Sequence, residues 1–243
     1  MQTKKEIDFQ TKRINKIVWE YALPGIIGTV VTALYNVIGR IFIGQGVGAL
    51  AISGLAITFP VMNLTSSLGM LVGAGAAARI SISLGKRDKL TSEKILGNSL
   101  LLTIILNAVF ITLILIFLEP ILRAFGASDL TLPYAYDYLK IVLLGNVFVS
   151  LTYNFNAMMR ASGYPKKAMV TMLIGAIFSV ILTPIFLYGF DLGIQGVAWA
   201  TVISMFIGML FVMYHFIQKN SLIRLKWKYI KLNKKIILAI VSI

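Results

Sequence analysis

Apolar residues in this chain gather into long runs, with charge confined to the segments between them. Six runs of roughly 20 apolar positions lie at about 17–39, 53–76, 95–118, 137–159, 167–189 and 194–217. Each has the length an α-helix needs to cross a hydrocarbon core about 30 Å thick. Lipid offers the backbone no partners, so each run is expected to be a helix that satisfies its own N–H and C=O groups. A transmembrane β-barrel would need strands of about 10 alternating residues, and Leu100–Leu118 does not alternate. The first sixteen residues are polar and basic, and the first apolar run is too long for a cleavable leader, so it reads as a retained anchor. A further apolar stretch starts at Ile236 and stops at Ile243. The expected organisation is an all-α polytopic membrane protein. It has a six-helix transmembrane bundle over 1–217, a basic cytoplasmic linker over 218–235, and over 236–243 the truncated start of a seventh helix.

Composition agrees with the pattern. Only 13% of residues are charged and 58% are hydrophobic, whereas a soluble domain carries about 25% charged residues. The net charge of +14 would suggest a nucleic-acid partner if it were spread over a surface. Instead it is sorted. Twenty Lys and Arg fall in the N-terminal segment (Lys4, Lys5, Lys12, Arg13, Lys16), the second-to-third and fourth-to-fifth connections, and the segment after the sixth span. Only Arg40, Arg123 and Lys140 fall on the other side. This asymmetry places the N-terminus in the cytoplasm and argues against nucleic-acid binding. The absence of cysteine excludes disulfides and thiolate chemistry, and a single histidine leaves little metal chemistry. No Walker-type glycine loop is present, and Gly73-Ala-Gly75 follows no strand, so neither nucleotide fingerprint applies. Neither an enzyme nor a bound cofactor is expected.

Ionisable groups at membrane depth are functional candidates by default, but here they sit near span ends. Glu20, Arg40, Glu119 and His215 all read as interfacial. Neutral polar residues are more informative. Pro24, Gly28, Thr32, Tyr35 and Gly39 recur every three or four residues, as do Asn146, Ser150, Tyr153, Asn154 and Ala157. The fifth span repeats the pattern with Gly175, Ser179 and Thr183 before Pro184, and the sixth with Thr201, Met205 and Gly208. Such stripes either let helices pack closely or line a hydrated cavity. Asn146, Asn154, Asn156 and Tyr35 weigh toward a cavity, because an amide in lipid lacks partners that a wet vestibule supplies. Gly69 and Gly73 read as a packing contact. Pro24 and Pro184 each remove a backbone donor and permit a bend, static or flexing.

Four stretches in register carry a resemblance. They are Ala22-Leu-Pro-Gly25 with Leu34 to Gln45, and Gly73 to Arg79 with Leu84, Gly85 and Asp88. The others are Met159 to Gly163 with Pro165 and Ala168, and Thr183 to Phe186 with Gly193, Gly196 to Ala198 and Ala200 to Ser204. Together they resemble the multidrug and toxic compound extrusion (MATE) family, in the branch of DinF-like and MepA-like exporters. The resemblance implies one lobe of a twelve-helix fold, with a second six-helix lobe as partner, in the bacterial inner (plasma) membrane. It implies alternating access, with amphipathic organic cations exported in exchange for H+ or Na+. The first-lobe cavity positions then fall on Pro24, Thr32, Tyr35, Asn36, Gly39, Asn154, Asn156, Ser179, Thr183, Thr201 and Met205. Many relatives carry Asp where Gly39 and Thr183 stand here. Neither residue can titrate, so the usual carboxylate switch is missing from this lobe. The alternative is a relative that flips lipid-linked or oligosaccharide cargo, which would call for a cavity rich in Arg and Lys.

Overall fold

The helices extend beyond the apolar runs, because a helix that leaves lipid can continue through polar residues until a turn signal stops it. The computed structural model describes residues 14–219 and 221–242. Lys4, Lys5, Lys12 and Arg13 of the N-terminal basic segment lie outside the described residues. Helix α1 is Ile14–Gly46, α2 Ala49–Gly85 and α3 Lys89–Ile116. A short α4, Leu118–Ala124, precedes α5, Leu132–Ala161. Helix α6, Pro165–Pro184, runs into a π-helical turn at Ile185–Gly189, and α7 is Gly193–Ile217. A 3-10 turn at Trp227–Tyr229 and an eight-residue α8, Lys234–Val241, follow. Six of these elements are long and apolar enough to cross a membrane. Their outward faces carry Leu34, Val37, Leu71, Val109, Leu113 and Ile181, all at least half exposed. That much apolar surface has no stable place in water, and lipid removes the conflict.

Local chemistry explains the ends. Asp88 caps α3, accepting the Thr91 N–H at 2.9 Å. The Thr91 side chain and backbone hydrogen bonds together hold the Asp88 carboxyl below its ordinary pKa. At the opposite end α4 is tied by Arg123, 2.9 Å from both Glu119 and Asp129, and these bonds raise the Arg123 pKa further. Pro184 has no N–H to give to the carbonyl one turn back, and the helix widens into its π turn directly after it.

The most intimate packing joins α2 to α5. A Cβ at Gly69 would collide with the Ser150 backbone, and one at Gly73 would lie 2.8 Å from the Asn154 Cα. Side chains of α2, α3 and α5 then zip together. Ser66 donates to Asn146 at 3.0 Å, and the Asn146 amide donates to Thr65. Ser150 Oγ lies 2.9 Å from Asn107 Oδ1, and Asn154 donates to Thr103 at 2.8 Å and to the Ser99 carbonyl at 3.2 Å. This is a polar seam, fully buried where Asn154 meets Thr103 and Ser99.

The segment after α7 is not a loose tether. Ile223 and Ile240 enter the core beside Val72, Phe155 and Phe216. The Tyr229 carbonyl lies against Gly97, and the Ile240 carbonyl against Gly75, at positions where a Cβ would clash. Asn98 accepts the Asn233 N–H at 2.7 Å, and Arg79 donates to the Ala239 carbonyl at 2.8 Å. Lys226 reaches Glu93 at 2.6 Å, and Glu93 is 2% exposed. The segment thus forms a strap under the basic end of α2 and α3. His215, expected at the interface, is buried in the same region, with its ring 4.6 Å from that of Tyr164.

Two stability predictions result. Gly69→Ala should lower the melting temperature of the purified protein by several degrees, since forcing these backbones apart costs about 1–3 kcal/mol or more. Gly25→Ala, with nothing within 4 Å of the new Cβ, should leave it equal or higher; equal losses at both would remove the close-contact argument. Lys226→Gln should destabilise by about 1–3 kcal/mol, because a buried carboxylate is left uncompensated. Adding Glu93→Gln should recover part of that loss in the same melting assay.

Candidate substrate vestibule

Beside the seam, about a third of a turn around α5, the helices do not close, and Ser66 and Asn146 of the seam border the opening. A cavity of about 1140 Å³, mouth included, lies between α1, α2, α5, α6 and α7. A second compartment of about 600 Å³ continues it toward Asn156, Thr171 and Gly208. Thr32, Tyr35, Val149, Tyr153, Ser179, Thr201 and Met205 border both, which makes them one vestibule.

Each wall follows from helix periodicity. Helix α1 contributes Thr32, Tyr35, Asn36 and Gly39 from one face, together with Arg40. Helix α6 contributes Gly175, Ser179 and Thr183, and α7 contributes Thr201, Met205 and Gly208. Helix α5 offers Val149, Thr152, Tyr153 and Asn156, spaced three and four apart. The hydroxyls on α1, α6 and α7 donate within their own helices: Thr32 to Gly28, Thr183 to Ser179, Thr201 to Val197 and Ser204 to Ala200, at 2.7–2.8 Å. The Asn36 amide likewise donates to the Thr32 carbonyl at 2.8 Å. Their oxygens are therefore free to face the cavity. Asn156, 1% exposed, has its Oδ1 2.8 Å from Thr171 Oγ1, and its amide nitrogen has no protein partner among the described residues.

Most of the candidates read from the sequence therefore meet in one space: Thr32, Tyr35, Asn36, Gly39, Asn156, Ser179, Thr183, Thr201 and Met205. Two do not. Asn154 belongs to the seam, fully buried between α3 and α5. It lies four residues beyond Ser150, so it shares that face and turns away from Tyr153 and Asn156. Pro24 is buried, one turn before Gly28 on the part of α1 that packs against Met172 of α6, and it borders neither compartment. The structure also adds residues that sequence reading left out. Helix α2 lends Thr58, Phe59, Met62, Asn63, Ser66 and Met70. Positions 59, 62, 63, 66 and 70 do keep helical spacing, but three of the five are apolar and merge with the run around them. Arg40, read as an edge residue, borders the vestibule with its guanidinium 5.7 Å from the Phe59 ring centre.

The two classes of asparagine separate by experiment. Asn154→Ala should reduce the amount of folded protein recovered from membranes, because it strands Thr103 in a buried seam at about 1–3 kcal/mol. Asn156→Ala should leave the yield within about twofold of wild type. Size-exclusion profiles of the two variants that coincide would merge seam and vestibule into one role.

This geometry has close counterparts. The MatE family model matches residues 24–185. Over 235 residues the chain is 32% identical to the multidrug export protein MepA of Staphylococcus aureus, covering 97% of this chain and 52% of that protein. It superposes on a solved MATE structure in the bent conformation with TM-score 0.90 and 26% identity, over 99% of this chain and 54% of that one. It also superposes on the outward-facing conformation of a multidrug resistance MATE family transporter of the MOP superfamily, with TM-score 0.90 and 25% identity, over 100% of this chain and 54% of that one. The chain spans about half the length of the relatives it matches. With the family match running from α1 to the π turn after α6, through every helix that walls the vestibule except α7, this chain belongs to the MatE family, whose members are transporters and not enzymes.

Proposed function

We propose that this chain works with a second six-helix lobe as a secondary active exporter of amphipathic organic compounds, exchanging them for H+ or Na+ by alternating access in the bacterial inner membrane. The observation that carries the reading is the vestibule of about 1140 Å³, walled by Phe59, Met62, Met70, Val149 and Met205 beside Tyr35, Asn36, Asn63 and Tyr153. Apolar and polar side chains share this lining about equally, which suits cargo that is itself amphipathic. Methionines add adaptability, since an unbranched thioether repacks around differently shaped ligands. The multidrug export named for MepA supports the same cargo class. Gly39 and Thr183 cannot take up or release a proton, and no Asp or Glu is among the described residues that border the vestibule. The reading therefore assigns ion coupling to the second lobe. A lipid-linked cargo would need a cluster of cations for its phosphates, and Arg40 stands alone here, so the flippase reading is the weaker one.

The test is accumulation of cationic, neutral and anionic dyes in efflux-deficient bacteria that express the chain with and without its second lobe. At least one dye should be kept out by the two-lobe form, and a protonophore or removal of Na+ should abolish that exclusion. Tyr35→Ala should reduce efflux about tenfold or more at unchanged protein level, and Leu113→Ala, on the outward face of α3, by less than about twofold. Dye levels unchanged by a membrane-inserted two-lobe form would overturn the reading.

A further inference from the structure

The charge inside the vestibule is not what a carrier of organic cations would present. Among the described residues that border it there is no Asp, Glu, Lys or His; Arg40 alone carries a formal charge. Elsewhere, two cations are given carboxylates, Arg123 by Glu119 and Asp129 and Lys226 by Glu93, and Arg79 is held by the Ala239 carbonyl. Arg40 forms no ion pair among the described residues; it lies over the face of Phe59 and within electrostatic reach of the Tyr138 hydroxyl. The neighbouring position that could hold a counter-charge is Gly39, where a Cβ would meet nothing within 4 Å. Space is left beside the guanidinium.

We propose that Arg40 receives the anionic head of an amphipathic organic compound, a carboxylate, sulfonate or phosphate, while the apolar body lies along Phe59, Met62 and Met205. The proposal rests on the exporter reading above and departs from the cationic cargo that the family resemblance implies. Arg40 is exposed where it borders the cavity, and a guanidinium so placed can bind oxyanions through a planar pair of N–H donors. Its uncompensated field raises the local concentration of anions and repels cations. The back-bonded hydroxyls are neutral and impose no sign.

Fluorescein and rhodamine 6G share a xanthene body and differ in charge. Their binding to the two-lobe protein, in phosphatidylcholine nanodiscs, can be read by fluorescence anisotropy. Fluorescein should bind about tenfold or more tightly than rhodamine 6G, one decade being about 1.4 kcal/mol. Arg40→Gln should erase that preference, Arg40→Lys should retain part of it, and Gly39→Asp, which the open space accommodates, should favour rhodamine 6G. Displacement of fluorescein by added phosphatidylglycerol would keep the anion site and assign it to a lipid headgroup. Tighter binding of rhodamine 6G, or fluorescein affinity unchanged in Arg40→Gln, would overturn the proposal. Met205→Trp, which narrows the vestibule where its two compartments meet, separates the two readings. If it blocks both dyes and neither is preferred, only the polarity proposal fails. If it blocks neither, the vestibule is not the binding site and the exporter reading fails with it.

Discussion

Helices α2 and α5 touch backbone to backbone where Gly69 meets Ser150 and Gly73 meets Asn154, and the remaining helices take their places from that contact. Lipid tails are as apolar as leucine, so helices in a membrane gain little from burying apolar side chains against each other. Close approach and polar bonds between helices must hold them instead. The glycines supply the approach. The approach brings Thr65 and Ser66 within reach of Asn146, and α3 joins through Asn107, Thr103 and Ser99. With one face of α5 committed to this seam, the adjoining face, about a third of a turn around, is left to border a space, and Asn146 stands at the edge between them. Helix α1 packs chiefly on α6 and meets α2 near its outer end, where Gly44 lies against Ile52. The gap between α1 and α2 is the vestibule.

The spans were legible because run length answers to the thickness of the solvent and needs no knowledge of neighbours. Their ends were less so. Helix α2 continues nine residues past the apolar run that ends at 76, to Gly85, because Arg79 and the residues after it are acceptable to a helix that has left lipid. The stripes on α1, α6 and α7 could be assigned to a common space because each of those helices has one polar face. Helix α5 has two, with Asn146, Ser150 and Asn154 on one and Val149, Thr152, Tyr153 and Asn156 on the other. At 3.6 residues per turn these are roughly a third of a turn apart. A reading that groups polar residues only by approximate spacing merges them, and this is how Asn154 came to stand beside Tyr153.

Other features depended on partners far away in the chain. Glu93 lies among the basic residues around the turn before α3 and resembles an ordinary solvated charge. Its partner Lys226 is 133 residues away, and nothing local shows that the carboxylate will be buried. Gly97 and Gly75 look like packing glycines of the membrane core, yet the strap rests on them. A basic linker read from charge alone is a topology signal; that it also carries Ile223 and Ile240 into the core follows only from tertiary structure.

The hydrogen bonds divide the lobe into two mechanical halves. Across the seam, polar groups bond from helix to helix, and pulling α5 from α2 and α3 would strand Asn146, Ser150 and Asn154 at a cost of about 1–3 kcal/mol each. Around the vestibule, Thr32, Thr183, Thr201 and Ser204 bond to carbonyls of their own helices. Those bonds survive when neighbouring helices separate or slide, so displacement there strands little; the Asn156–Thr171 bond between α5 and α6 and the Tyr138–Thr201 bond between α5 and α7 are exceptions. The strap is fastened to α2 and α3, on the stiff half. A wall that can move without breaking polar bonds, set against a frame that cannot, is the arrangement a cavity needs if it is to admit cargo of different shapes and keep its fold.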